Sequence, residues 1–234
     1  MFGDFKLHED FRCEIVRVGA ERLPVLVIDN FLRNAEALVD FAARAAFTPV
    51  DRTIYPGVRA PIPMEYPFAV LKLLERPLRE AFGVARARAA GGQADFSLIT
   101  LRPEEAHYRQ LHPHFDGPDP NIIAGLHYLC SPEHGGTSFY RHRSSGFESI
   151  DKARYADYAR AIEGEIEARQ ERTASYANGD TPLFERTASF DAAFNRMLLY
   201  RGMSLHSANV PPDFHFDANP RTGRLTANAF LLFG

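Results

Sequence analysis

Apolar and polar positions along the chain follow two regimes. In the first, "RLPVLVIDNFL", residues 22–32, reads as a strand running into a turn, and "NAEALVDFAARAAF", residues 34–47, places Leu38, Phe41, Ala42 and Ala45 on one helical face. Residues 48–65 hold Pro49, Gly57, Pro61 and Pro63 and are expected to form a loop. "YPFAVLKLLERPLREAFG", residues 66–83, predicts a second helix, disturbed near Pro77 because proline lacks the donor that a helix interior needs.

From about residue 94 the pattern changes to short β-runs: "DFSLITLRP", "IIAGLHYLC", "GTSFYRH", "RMLLYRG" and "RLTANAFLLF". Separated by Pro, Gly and Asn, they predict an antiparallel sandwich or a barrel-like roll. Residues 148–177, "ESIDKARYADYARAIEGEIEARQERTASYA", break that pattern: they are helix-like, strongly charged and free of proline. They are expected to be a helical insertion over one face, either a lid or a packing helix. The organisation expected is one domain over 1–234, with a strand and helices at 22–93 covering a β core at 94–234.

Composition narrows the function classes. A length of 234 residues suits one sandwich or barrel unit, and 45% apolar with 24% charged residues is ordinary for a soluble globular chain. The net charge of −3 offers no broad basic face for nucleic acid. Only Lys6, Lys72 and Lys152 are lysines among 27 cationic residues; arginine suits carboxylate recognition, so each arginine is judged by position. Cys13 and Cys130 are read as free thiols of a reducing compartment. The start has no signal-peptide core and no run is long enough to span a bilayer, so a cytoplasmic protein is expected. Nothing in the sequence decides the oligomeric state.

The tripeptide His-Phe-Asp occurs twice, as His114-Phe115-Asp116 in "HPHFD" and as His215-Phe216-Asp217 in "DFHFD". On an extended chain residues i and i+2 point the same way, so His-x-Asp can offer two metal ligands from one edge. Ferrous iron held by two histidines and one carboxylate needs a second imidazole from elsewhere and keeps its remaining positions open. The first copy follows a β-run, and about ninety residues later "RMLLYRGMSLHSANVP" leads into His206; "TGRLTANAFLLF" then offers Arg224 immediately after a glycine. His114, Asp116 and His206 can thus form a ligand set, with Arg224 as a cation for a second carboxylate. The second copy lies between Pro211, Pro212 and Pro220 with no histidine after it, which suits a loop. A set of His206, His215 and Asp217 remains the alternative.

These residues resemble the iron(II)- and 2-oxoglutarate-dependent dioxygenases, in particular their prolyl-4-hydroxylase-like branch. The resemblance rests on "LVIDNFLRNAEAL", "HPHFDG", "IIAGLHYLCSPEHGGTSFY", "SLHSANV" and "GRLT", in that order, and covers roughly residues 22–47 and 95–234. The wording "HPHFDG … HSAN" is also similar to an uncharacterised subgroup of that superfamily. The resemblance implies a double-stranded β-helix (jelly-roll, cupin-like) with flanking α structure. It implies Fe(II) on His114, Asp116 and His206, and 2-oxoglutarate as co-substrate. The distal carboxylate of 2-oxoglutarate would be held by Arg224, with Thr226 adding a hydroxyl bond. The expected reaction is hydroxylation of an unactivated C–H bond of an amino acid, peptide or small natural product, with release of succinate and CO2. Halogenation is not expected, because Asp116 keeps the carboxylate that a halide would replace.

The chain departs from the branch in two places. The spacing from His206 to Arg224 is longer than usual, which makes Arg221 a competitor for the carboxylate. "LITLRPEE" lacks the tyrosine that often helps to hold 2-oxoglutarate, and Tyr128 is the substitute considered, against an ordinary core aromatic. Among the neighbours, His112 is weighed as a substrate contact or a further ligand against neither role, His127 is read as a hydrogen-bonded sheet histidine, Arg141 and Arg143 as a solvated strand end or a contact for an acidic substrate, Gly135-Gly136 as a tight turn, and Asn195-Arg196 as a turn. The rival readings are a cupin-like metal or ligand binder, an oxygenase without turnover, and a metal-free interaction module built on the charged helix. No Gly-x-Ser-x-Gly or His-Glu-x-x-His element supports a hydrolase.

Overall fold

The computed structural model describes residues 4–49, 55–84, 93–168 and 175–233. In chain order the elements are β1 (Arg12–Val18), β2 (Leu23–Asp29), α1 (Glu36–Ala42), β3 (Thr48–Pro49), β4 (Gly57–Pro61), α2 (Glu65–Leu73), α3 (Glu75–Phe82) and β5 (Gln93–Ile99). There follow α4 (Tyr108–Leu111), β6 (Ile122–Tyr128), β7 (Thr137–His142), α5 (Tyr155–Ala168), β8 (Phe184–Phe190), β9 (Met197–Arg201), β10 (His206–Ala208) and β11 (Leu225–Leu232). The strands form an antiparallel sheet in the order β1-β2-β9-β6-β11-β5-β4-β3 and a smaller one in the order β10-β7-β8. The two face each other as a jelly-roll, the double-stranded β-helix expected.

The period of two along β11 sorts its side chains. Leu225, Ala227, Ala229 and Leu231 face outward into a core shared with α1, α2 and α3, where Leu38, Ala42, Tyr66, Val70, Leu74 and Leu78 are buried. Full burial of each large aliphatic side chain there contributes about 1.5–3 kcal/mol. Arg224, Thr226 and Asn228, the residues in alternation, are left to face the interior of the roll. Ala124, Tyr128, Leu198 and Tyr200 of the large sheet meet Phe139 of the small one in a second cluster, which closes the roll.

The α2–α3 pair is one predicted helix broken at Leu74. Restarting there places Pro77 in the first turn of α3, where its missing N–H costs nothing. α1 is shorter than the predicted 34–47, although Leu38 and Ala42 are buried as its pattern requires. Strands β1, β3, β4 and β8 escaped the sequence reading. β1 lies before the first predicted run, β8 has its apolar residues interrupted by Glu185 and Arg186, and β3 and β4 lie in the proline-rich stretch read as a loop. Within 148–177 only Tyr155–Ala168 is helical; residues 148–154 and 175–177 are irregular, and 169–174 lie outside the described residues. No helix among the described residues is long and apolar enough to cross a membrane.

Candidate metal centre

The segment carrying the first His-x-Asp pair leaves α4 in extended form. It is fixed to the segment of the distal histidine by reciprocal backbone bonds: His114 N–H donates to His206 O at 2.9 Å and His206 N–H to His114 O at 2.8 Å. The Asp116 N–H donates to Gly202 O at 2.7 Å, in the turn after β9. Two backbone pairings thus align residues separated by about ninety positions, and the side chains converge. One ligand atom each from His114, Asp116 and His206 lie within 4.8 Å of one another. The two imidazole centroids are 4.5 Å apart, and His206 Nε2 is 3.9 Å from Asp116 Oδ2.

That last distance is too long for a hydrogen bond. Asp116 Oδ2 is buried and has no partner, an arrangement costly for a carboxylate without a cation. Burial raises the Asp116 pKa, partly opposed by His206 and Arg59. Burial, then the neighbouring His206, pushes His114 well below its ordinary value, so its ring is neutral near pH 7 with a lone pair available. The Ser204 carbonyl lies 2.9 Å from His206 Nδ1, which assigns the proton to Nδ1 and leaves Nε2 free to coordinate.

The triad lines a chamber inside the roll that also holds Arg224, Arg59, Tyr55, Tyr200, Thr137 and Asn228. Arg224 is only 2% exposed. One arm donates to Gly136 O at 2.9 Å, its plane lies 5.5 Å from the Tyr128 ring centroid, and its Nε has no partner. No carboxylate among the described residues pairs with it. Gly135 helps to bring Gly136 into reach: its φ is +72°, and a Cβ there would collide with the Asn209 carbonyl.

Several sequence expectations are corrected by this arrangement. Arg221 is bound to Asp40 at 2.8 Å, with both side chains 54% exposed, and does not enter the chamber. The Tyr128 hydroxyl is engaged with Thr137 Oγ1 at 2.6 Å, and its ring lies beneath Arg224. Arg141 and Arg143 are not a free edge: Arg141 holds Glu148 and Glu185, and Arg143 holds Asp180. Thr226 is fully buried, next to Tyr128 of the neighbouring strand.

Others fall as expected. His127 bonds Tyr66 and Asn195 at 3.0 Å each. Cys13 and Cys130 are free thiols. His112, whose role nothing here tests, lines a second cavity together with His114, Tyr155 and Tyr158 of α5. The second copy makes a turn: Asp217 accepts from Asn219 N–H at 2.8 Å and Thr222 Oγ1 at 2.6 Å, and His215 is exposed. Gly223 lets that loop close, since a Cβ there would collide with the Asp217 carbonyl.

Tyr55, Arg59, Tyr200 and Asn228 are chamber residues that the sequence reading missed. The only local signal for Arg59 was its place between Val58 and Ala60, hidden by the surrounding prolines.

This fold class is shared with a solved structure of low sequence identity, and weaker matches are found beside it. HygX from Streptomyces hygroscopicus, crystallised with nickel and 2-oxoglutarate bound, matches with a TM-score of 0.50 at 14% identity, over 91% of this chain and 84% of that one. The α-ketoglutarate-dependent epimerase SnoN from nogalamycin biosynthesis gives 0.46 at 12% identity, over 91% and 79%. An N-substituted L-amino acid dioxygenase from Burkholderia ambifaria gives 0.45 at 10% identity, over 96% of each chain. Within that class the family is narrower. Residues 9–231 match the model of DUF6445, a family of unknown function, and the chain belongs to that family. No curated protein matches it in sequence.

Proposed function

We propose that this chain is an iron(II)- and 2-oxoglutarate-dependent oxygenase that hydroxylates a small molecule or peptide. The observation that carries the reading is one chamber holding both a two-histidine, one-carboxylate cluster with an unpartnered buried oxygen and a buried guanidinium with an unpartnered N–H. The first calls for a cation and the second for an anion, so the donor set fits Fe(II) together with a dicarboxylate. The fold shared with HygX supports the reading only at the level of architecture.

His114, Asp116 and His206 would hold the metal. With 2-oxoglutarate and oxygen, iron supplies the oxidation in which 2-oxoglutarate, O2 and R–H become succinate, CO2 and R–OH. The Ser204 carbonyl orients His206, and the Gly202 carbonyl anchors the backbone of Asp116. Arg224, tethered to Gly136 O and backed by Tyr128, would grip the distal carboxylate, with Thr226 and Tyr55 beside it. Apolar walls from Ile99, Ala124, Leu126 and Phe230 keep water from the reacting C–H bond.

The test is anaerobic addition of Fe(II) and 2-oxoglutarate, following the weak visible charge-transfer band of the chelate. The band is expected in the wild type and in His215→Ala, and lost in His114→Ala and His206→Ala. A band that survives His114→Ala but disappears in His215→Ala reverses the ligand assignment. Succinate release in oxygen then separates an oxygenase from a cupin-like binder.

A further inference from the structure

The chamber contains one cation more than a metal-bound 2-oxoglutarate needs. Arg59 enters it from β4, and the registers place it in a single row across four neighbouring strands: Tyr128, Thr226, Ser97 and Arg59. Strands lie about 4.8 Å apart, so the Arg59 backbone is about 10 Å from that of Thr226. Arg224 lies over Tyr128, on the other side of Thr226. The two guanidinium groups therefore approach the chamber from opposite sides of the same row. Arg59 packs over the Tyr55 ring at 4.9 Å, its Nε is buried without a partner, and no carboxylate among the described residues pairs with it. It lines the same chamber as His114 and Asp116.

We infer that Arg59, packed over the face of the Tyr55 ring, forms a second anion subsite that receives a carboxylate of the substrate and so turns its C–H bonds toward the metal. This rests on the oxygenase reading above. One guanidinium with a tyrosine platform balances a single negative charge. A phosphate dianion would retain excess charge in a buried site, so a carboxylic acid is the class expected.

The probes are N-acetyl amino acids, each beside its N-acetyl amino-acid amide. They are titrated calorimetrically into Ni(II)-loaded protein saturated with 2-oxoglutarate, where turnover is absent. At least one acid is expected to bind about tenfold or more tighter than its amide, a difference of about 1.4 kcal/mol. Arg59→Met is expected to lose that preference, and Arg59→Lys to keep part of it. Affinity for 2-oxoglutarate should be weakened by Arg224→Met and unaltered by Arg59→Met, and circular dichroism checks that both fold. Acids that bind no better than amides overturn the inference. So does an Arg59→Met variant that loses 2-oxoglutarate as Arg224→Met does, since Arg59 would then serve the co-substrate. Failure of wild type to bind 2-oxoglutarate at all would be read in its own titration, and sinks the oxygenase reading instead.

Discussion

Asp116→Asn should raise the stability of the metal-free protein while removing its response to metal. Asp116 has a side chain only 15% exposed, an oxygen without a partner, and its nearest cationic candidate, His206 Nε2, at 3.9 Å. An uncompensated buried polar group of this kind costs about 1–3 kcal/mol. The partial exposure and the Arg59 field offset some of that, so the neutral amide is expected to gain about 1–2 kcal/mol. For a chain of this size that is a rise of about 2–8 °C in Tm. A divalent metal at about a hundred times its Kd would stabilise the wild type by about 2.7 kcal/mol and leave the asparagine variant nearly unmoved. The two melting curves should therefore change order between EDTA and excess Ni(II), followed by circular dichroism at pH 7. An Asn variant that melts below wild type in EDTA, or one lifted by nickel as far as wild type is, would refute the reasoning.

Arg224→Met should weaken 2-oxoglutarate by about 100-fold, the scale of a buried charge pair deprived of one partner, while calorimetry shows metal binding retained. His127 supplies a pH test. Burial lowers its pKa to about 4 from the usual 6.5, against a hydrogen bond donated to Asn195 Oδ1 that raises it. The folded state thus binds fewer protons than the unfolded one, and this contribution is complete above pH 6.5 and lost as pH falls toward 4. The loss totals about 3 kcal/mol, and a His127→Gln variant should have a correspondingly flatter urea-stability profile over that window. Glu148, 2% exposed, binds Arg141 Nη2 at 2.6 Å and the backbone N–H groups of Ala20 and Glu21 at 3.0 and 2.9 Å. Glu148→Gln should cost about 2–3 kcal/mol in urea denaturation without altering metal affinity.

The proposed metal ligands were readable because their chemistry is ordered along the chain. His114 and Asp116 share one extended segment, and a β-run ends just before His206. Local periodicity likewise placed the inner strands and the buried face of α1, since the alternation of side chains is a property of the strand or helix itself. What periodicity cannot report is which elements become neighbours. β4 looked like a loop because Pro49, Gly57, Pro61 and Pro63 fall in and around it, yet pairing with β5 makes it a strand and delivers Arg59 to the chamber. In sequence Arg221 competed with Arg224, the favoured cation, for the carboxylate. An ion pair with Asp40, 181 residues away, removes the first, and burial beside Gly136 and Tyr128 retains the second. The two His-Phe-Asp copies separate for the same reason. One is zipped to His206 by backbone hydrogen bonds, whereas the other spends its aspartate on its own turn. Residue type and spacing set what each side chain can do; long-range backbone pairing and the exclusion of water decide which of them meet.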